Sequence, residues 1–343
     1  MMSSRNAYYD NAKFLLIFLV VFGHLIQSFI ETNKIILTLY HSIYVFHMPA
    51  FILISGFFAK GFNQKGYLQK VAKKLILPYL IFQGIYSFFY YVIKGEELSS
   101  LNPLDPHWSL WFLISLFCWN CMIYVFTKLQ AYAAIVLSLI LGLGVGYINE
   151  INSFLSLSRT FVFFPLFLVG FYLNQEHFQN MKVLHVKLIS VVVMVSTFTL
   201  FYYLSDFNYQ WLFGSKPYEM LGAFGVSGPI IRLALYSLSF VTTLAFLTLV
   251  PSRRLFFTKW GTSTLYVYLL HGFFVKLFRS SELVHLIDRS QQLLLLLIVS
   301  MFLTMMLSSR LIRKLTQPFV EAKSNFWKQQ LKDITGSRRL QNR

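Results

Sequence analysis

Cysteine is almost missing from this chain: Cys118 and Cys121 are the only two in 343 residues. They stand three apart within an apolar run, so they share one helical face. A disulfide framework is excluded, and the pair reads as small apolar residues, not metal ligands. Acidic side chains are also scarce, 13 against 30 Lys and Arg. Neither a carboxylate cluster nor an HxxxH pattern is present, so no metal centre is expected. Charged residues make up only 13% of the chain, too few to clothe a soluble surface. There is no convincing internal repeat, the feature that would favour a transporter. The glycines of Gly142-Leu143-Gly144-Val145-Gly146 lie inside an apolar run, without the strand–turn–helix context a nucleotide loop needs. They read as sites of close helix packing.

What fills the chain is apolar. Hydrophobic residues reach 56% and aromatics 18%, in runs long enough to span a bilayer that recur from end to end. The expected fold is all-α: a polytopic transmembrane bundle of about ten helices. The runs fall near 12–30, 38–60, 72–93, 108–127, 131–149, 159–175, 183–204, 229–250, 262–280 and 292–312. The first has no small-residue cleavage site and is expected to stay as the first helix. Residues 1–315 read as the membrane domain, and residues 316–343, with Phe319, Phe326 and Trp327, as a basic amphipathic cytoplasmic tail for the anionic inner leaflet. No appended soluble domain is expected.

The net charge of +17 invites a nucleic-acid reading, but the cations cluster in alternate loops, as orientation rules require. With both termini cytoplasmic, most of the 30 Lys and Arg fall inside, and Glu96, Glu97 and Asp105 fall outside. A nucleic-acid partner is therefore excluded; the partner is the lipid bilayer of the cell membrane. Oligomeric state is not encoded legibly.

The most informative pair is Lys13 and His24, eleven residues apart in the first run. Eleven helical steps return to within about 20° of the starting direction and advance about 16 Å. A cation thus stands at the surface and an imidazole on the same face deep in the bilayer, where an ionisable group marks a functional site by default. Counting from the inner ends of their runs, His47 and His271 come to similar depth, about 20 and 14 Å. Either the three line a common polar cavity, or each satisfies a local backbone partner. Histidine, with an ordinary pKa of about 6.5, suits general-base work near neutrality. At the inner mouth, Lys70, Lys73 and Lys74 precede Pro78. Topology alone would place lysines there, but a ring of ammonium groups also suits phosphates. Asp10, three residues before Lys13, either positions its ammonium group or is a first-turn residue favoured by the helix dipole. Arg232, Lys276 and Arg279 sit near outer ends of runs, against the charge bias. They either snorkel, with Glu282 and Asp288 as possible partners, or hold an anionic acceptor.

Five segments in order resemble the acyltransferase-3 family of integral-membrane O-acyltransferases. Tyr9-Asp10-Asn11-Ala12-Lys13 through Gly23-His24 is similar to its first helix, with a basic residue, ten intervening residues and a histidine. Phe46-His47-Met48-Pro49-Ala50-Phe51 with Ile54-Ser55-Gly56-Phe57, Lys74-Leu75-Ile76-Leu77-Pro78-Tyr79, His107-Trp108 through Trp111-Phe112-Leu113, and Ser263-Thr264-Leu265-Tyr266 through His271 are similar to its later segments. The resemblance implies a ten-helix domain, an acyl-CoA donor (by family habit acetyl-CoA) and a carbohydrate or lipid-linked glycan acceptor. It also implies His24 as base, with Lys13 in the basic motif position. Lysines at 13, 73 and 74 replace the common arginines, which weakens bidentate phosphate contacts. The esterase-like extension of some members is not expected here. The site expected from sequence is therefore His24, His271 and Asp10 for catalysis and Lys13, Lys73 and Lys74 for the cofactor. The competing reading is a transporter or flippase for a lipid-linked saccharide.

Overall fold

A computed structural model describes residues 6–94, 102, 104–107, 109–151, 154–282, 284, 287 and 291–321. Glu96, Glu97, Trp108, Asp288 and the tail from 322 onward, with Phe326 and Trp327, lie outside the described residues. Among the described residues the protein is helical throughout, without strands. The helices are α1 (Ala7–Ile26), α2 (Lys34–Tyr44), α3 (His47–Phe57), α4 (Tyr67–Lys94), α5 (Trp111–Phe126), α6 (Ala131–Gly144), α7 (Leu157–Tyr172), α8 (Gln175–Asn180), α9 (Leu184–Tyr203), α10 (Ser227–Leu249), α11 (Thr264–Arg279), α12 (Gln292–Leu307) and α13 (Arg310–Val320). Every apolar run read from the sequence carries helix. Six candidate spans among the described residues are long and apolar enough to cross a membrane, and α12 with α13 adds a seventh if that pair, bent by 66°, is one span. α5 and α6 are apolar but shorter. This is a helical membrane protein.

The second apolar run, expected at 38–60, is one candidate span over Lys34–Gly61, but its helix is interrupted. It starts at Lys34, stops at Tyr44 and restarts at His47. Pro49 is the cause. Its ring would clash with the carbonyl of Val45 in a continuous helix, yet proline is tolerated in a helix's first turn, where the amide hydrogen has no intrahelical acceptor. The break helps orient His47: its Nδ1 donates to the Ile43 carbonyl at 2.8 Å. His47 is therefore the first residue of a helix, not a mid-helix residue.

α1 runs through the middle of the bundle. Asn6 caps it, accepting from Tyr8 N at 3.0 Å, and Asp10 in the first turn suits the dipole. Asn11, fully buried, ties α1 to the segment before α11. Its Nδ2 donates to the carbonyls of Pro251 (2.9 Å) and Arg253 (2.8 Å), and its Oδ1 accepts from Thr258 Oγ1 at 2.6 Å. Asn11→Ala removes all three bonds and leaves those groups to find other partners. We expect a loss of about 2–3 kcal/mol, read as a lower midpoint of thermal unfolding in detergent.

Close helix crossings depend on glycine. α3 and α7 meet where Gly56 and Gly170 let each backbone approach the other: an added Cβ would lie 1.9 Å from Phe167 O at Gly56 and 2.0 Å from Leu53 O at Gly170. Gly142 and Gly146 likewise admit the Tyr236 hydroxyl and the Tyr218 ring, the close packing expected there, whereas Gly144 of the same run has nothing within 4 Å of an added Cβ. α9 is largely exposed along its length, as a lipid-facing helix should be. α13 crosses the boundary placed at 315 and carries Leu311, Leu315 and Phe319 exposed, with Arg310 before them and Arg313 and Lys314 between the two leucines.

Candidate active site

α1 carries the two ends of the site. Lys13 stands in the second turn, its Nζ 3.1 Å from Asp10 Oδ1. Lys13 lines a cavity of about 260 Å³ together with Lys74, Tyr67 and Asn120. Lys73 and Lys74 are both exposed, but Lys73 does not line it; one residue along α4 turns a side chain by about 100°. An adjoining cavity of about 150 Å³ shares Lys13, Phe51, Ser55, Leu75 and Leu116 with the first and adds Ile17, Val20, Met48, Phe112 and Tyr268. A third, of about 290 Å³, shares Val20, Met48 and Tyr268 with the second and holds His24, Tyr44 and His47. A mouth, an apolar throat and a polar chamber thus follow one another along one face of α1. The eleven-residue spacing of Lys13 and His24 is what places one of them at each end.

The chamber brings the histidines together unequally. His24 and His271 stack, ring centroids 5.5 Å apart and planes 25° from parallel. His271 is completely buried. Its Nδ1 lies 3.0 Å from Val267 O and 2.8 Å from Tyr268 O. A carbonyl only accepts, so Nδ1 carries the hydrogen and Nε2 of the neutral ring is an acceptor. The same holds for His47. His24 Nδ1 lies 3.0 Å from the Tyr44 hydroxyl, and Tyr44 in turn makes a T-shaped contact with the His47 ring at 4.7 Å. Tyr44 can lie this close to α1 because residue 23 is glycine: an added Cβ would come 3.0 Å from the tyrosine ring. Arg279 Nη2 donates to the carbonyl of His24 itself (2.7 Å) and to Gln27 Oε1 (2.6 Å), pinning the end of α1 where the carbonyls lack helical partners.

Sequence reasoning missed Tyr44, Gln27 and Arg159. Tyr44 is the last residue of α2, next to the break that precedes His47. Arg159 carried a usable signal, a cation in the first turn of an apolar helix. Its guanidinium lies 5.0 Å from the Trp111 ring, and both line the chamber. Trp111 and Phe112 divide the aromatic segment's work, one in the chamber and one in the throat. His107 is held to α4 instead, by Gln83 Oε1 and Ser87 Oγ. Arg232 is spent on structure, donating to Gly142 O at 3.2 Å and Lys216 O at 3.4 Å. Part of the connection between α9 and α10, Leu212 and Phe213, closes the chamber's far side. Among the described residues no group of three or more His, Cys, Asp or Glu is placed to hold a metal.

The chain matches, over residues 6–313, the model of a family described as an acyltransferase domain, that of acyltransferase-3. It is 31% identical over 156 residues to "Nodulation protein NolL" of Sinorhizobium fredii, covering 40% of this chain and 43% of that protein. It is 42% identical over 85 residues to "Nodulation protein NolL" of Mesorhizobium japonicum, covering 23% of each. The chain's match thus spans less than half the length of each of these relatives. No solved structure matches it. With nearly the whole chain under the family model, and helices fit to cross a membrane, the protein is a membrane protein that belongs to the acyltransferase-3 family.

Proposed function

We propose that the protein transfers an acyl group, acetyl by family habit, from acyl-CoA to a hydroxyl of a cell-envelope or lipid-linked carbohydrate. In this reading it is a multi-pass protein of the cell membrane, with about ten spans and both termini cytoplasmic. The observation that carries it is the succession of cavities from Lys13 and Lys74 to His24. Coenzyme A phosphates rest on the mouth lysines. The pantetheine arm lies in the apolar throat, and the thioester reaches the chamber about 16 Å along α1. Asp10 holds the Lys13 ammonium toward the mouth.

In the chamber, His24 in the tautomer with hydrogen on Nδ1 donates to the Tyr44 oxygen, which leaves Nε2 as the base. Nε2 takes the acceptor's hydroxyl proton as that oxygen attacks the thioester carbonyl. The C–S bond breaks, the ester C–O bond forms, and the coenzyme A thiolate leaves and recovers the proton from the imidazolium. His271, stacked on His24, restricts its ring. A direct transfer needs no acyl-enzyme intermediate.

Donor binding is the first test. Coenzyme A at about a hundred times its dissociation constant should stabilise the purified protein by about 2.7 kcal/mol through mass action, seen as a raised unfolding midpoint. Lys13→Ala should lose most of that rise and increase the donor Michaelis constant. A transporter of lipid-linked saccharide would show no response to coenzyme A.

A further inference from the structure

Buried hydroxyls in this bundle commonly satisfy themselves on their own helix: Ser190 donates to Val186 O and Thr197 to Val193 O, both at 2.8 Å and one turn back. Ser109 does not. It is 6% exposed, and its Oγ has no hydrogen-bond partner among the described residues. The carbonyl four residues back, that of Asp105, already accepts from Gln83 Nε2 at 2.9 Å. An orphaned buried hydroxyl is costly and calls for an explanation. This one borders the chamber that holds His24.

Backbone contacts fix the serine's place. Its carbonyl accepts from the Tyr268 hydroxyl, and the next amide, Leu110 N, donates to His107 O at 2.8 Å. Tyr268 lines both the throat and the chamber, so Ser109 sits where one opens into the other. α5 begins two residues later, and Leu110 at its N-cap makes no side-chain hydrogen bond. The positive end of that 16-residue helix therefore lies beside the serine with no polar cap residue. Other donors bordering the chamber are committed: Tyr268 to the Ser109 carbonyl, and Nδ1 of His47 to Ile43 O.

We propose that Ser109 is a catalytic residue whose hydroxyl donates to the thioester carbonyl oxygen and to the oxyanion that forms there. This rests on the acyltransferase reading of the same chamber. As the acceptor oxygen attacks the carbonyl carbon, the π electrons of the C=O bond move onto its oxygen. Ser109 and the positive end of α5 stabilise that charge. When the C–S bond breaks, the electron pair returns and the carbonyl re-forms. Ser109 keeps its proton throughout; His24 carries the proton from acceptor to thiolate.

Ser109→Ala deletes a hydroxyl with no protein partner to lose, so the unfolding midpoint should hold or rise. Turnover is followed as thiol release from acetyl-CoA by the full chain in membranes. It should fall about a hundredfold, with little change in the donor Michaelis constant. Isotope-edited infrared spectroscopy of carbonyl-labelled acetyl-CoA, bound to the protein in nanodiscs, reads the contact itself. A hydrogen bond polarises the carbonyl, so its band should lie at lower frequency with the unmodified protein than with Ser109→Ala. Unchanged turnover overturns the proposal, and so does an identical band position even where turnover falls. Acetyl found on Ser109 in quenched digests also overturns it, since the serine would then be a nucleophile. An unmodified protein without thermal response to coenzyme A fails the acyltransferase reading itself, a different result from an active protein indifferent to Ser109.

Discussion

His24→Ala is expected to lower acyl transfer from labelled acyl-CoA by roughly a hundred- to ten-thousandfold, the range a positioned general base contributes. The protein should still insert, accumulate and bind coenzyme A, because the proposed seat of the donor's phosphates lies at the other end of α1. The size of the effect follows from the absence of a substitute. His271 is the nearest imidazole, yet its Nδ1 is committed to two carbonyls of its own helix, so its ring cannot swing into the vacated position. His47 is fixed in the same way to Ile43. Neither ring is free to take over proton transfer at the point His24 occupies. Single-turnover rates in membranes separate the chemical step from binding. Near-normal turnover in His24→Ala would remove the base mechanism altogether.

The second large effect is on folding. Gly56→Ala or Gly170→Ala should destabilise the bundle by about 3 kcal/mol or more, beyond the usual range for an over-packed methyl group. The reason is what the new Cβ would meet. At both positions it is a backbone carbonyl oxygen within 2.0 Å, and backbone does not move aside as the end of a side chain does. α3 and α7 would have to separate. α3 brings His47 and Met48 to the chamber and α7 brings Arg159 and Phe163, so activity should fall with stability. Gly84→Ala in α4 is the control, since nothing lies within 4 Å of its added Cβ. It should be neutral or stabilising by up to about 1 kcal/mol. Unfolding midpoints in detergent distinguish these outcomes, and equal midpoints for Gly56→Ala and Gly84→Ala would contradict the crossing geometry.

The helical, membrane-spanning character was legible because apolar runs are long and charges few, and both follow from local composition. The Lys13–His24 relation was legible because it lies within one unbroken helix, where spacing dictates direction. His271 was legible only as a depth: nothing local specifies the rotation of α11 that stacks it on His24. Tyr44 was hidden because hydropathy does not register a proline that stops one helix and starts another. The paired roles of Gly56 and Gly170 were equally out of reach, since each glycine is explained by the other's helix. Lys73 illustrates the converse. Its residue type and neighbourhood matched Lys74, and both are exposed, yet a single step around α4 gave only Lys74 a place at the cavity.

The throat formed where Val20, Met48 and Tyr268 separate mouth from chamber has a consequence for the cell as well as for the reaction. In the proposed reading donor and acceptor share a protein hollowed along α1, and a hollow membrane protein risks becoming a leak. An apolar collar there would break the water column, in the manner of a dewetted channel gate. The membrane voltage would then fall across side chains, and protons would find no wire to follow. Insulation and thioester protection would be served by the same few residues.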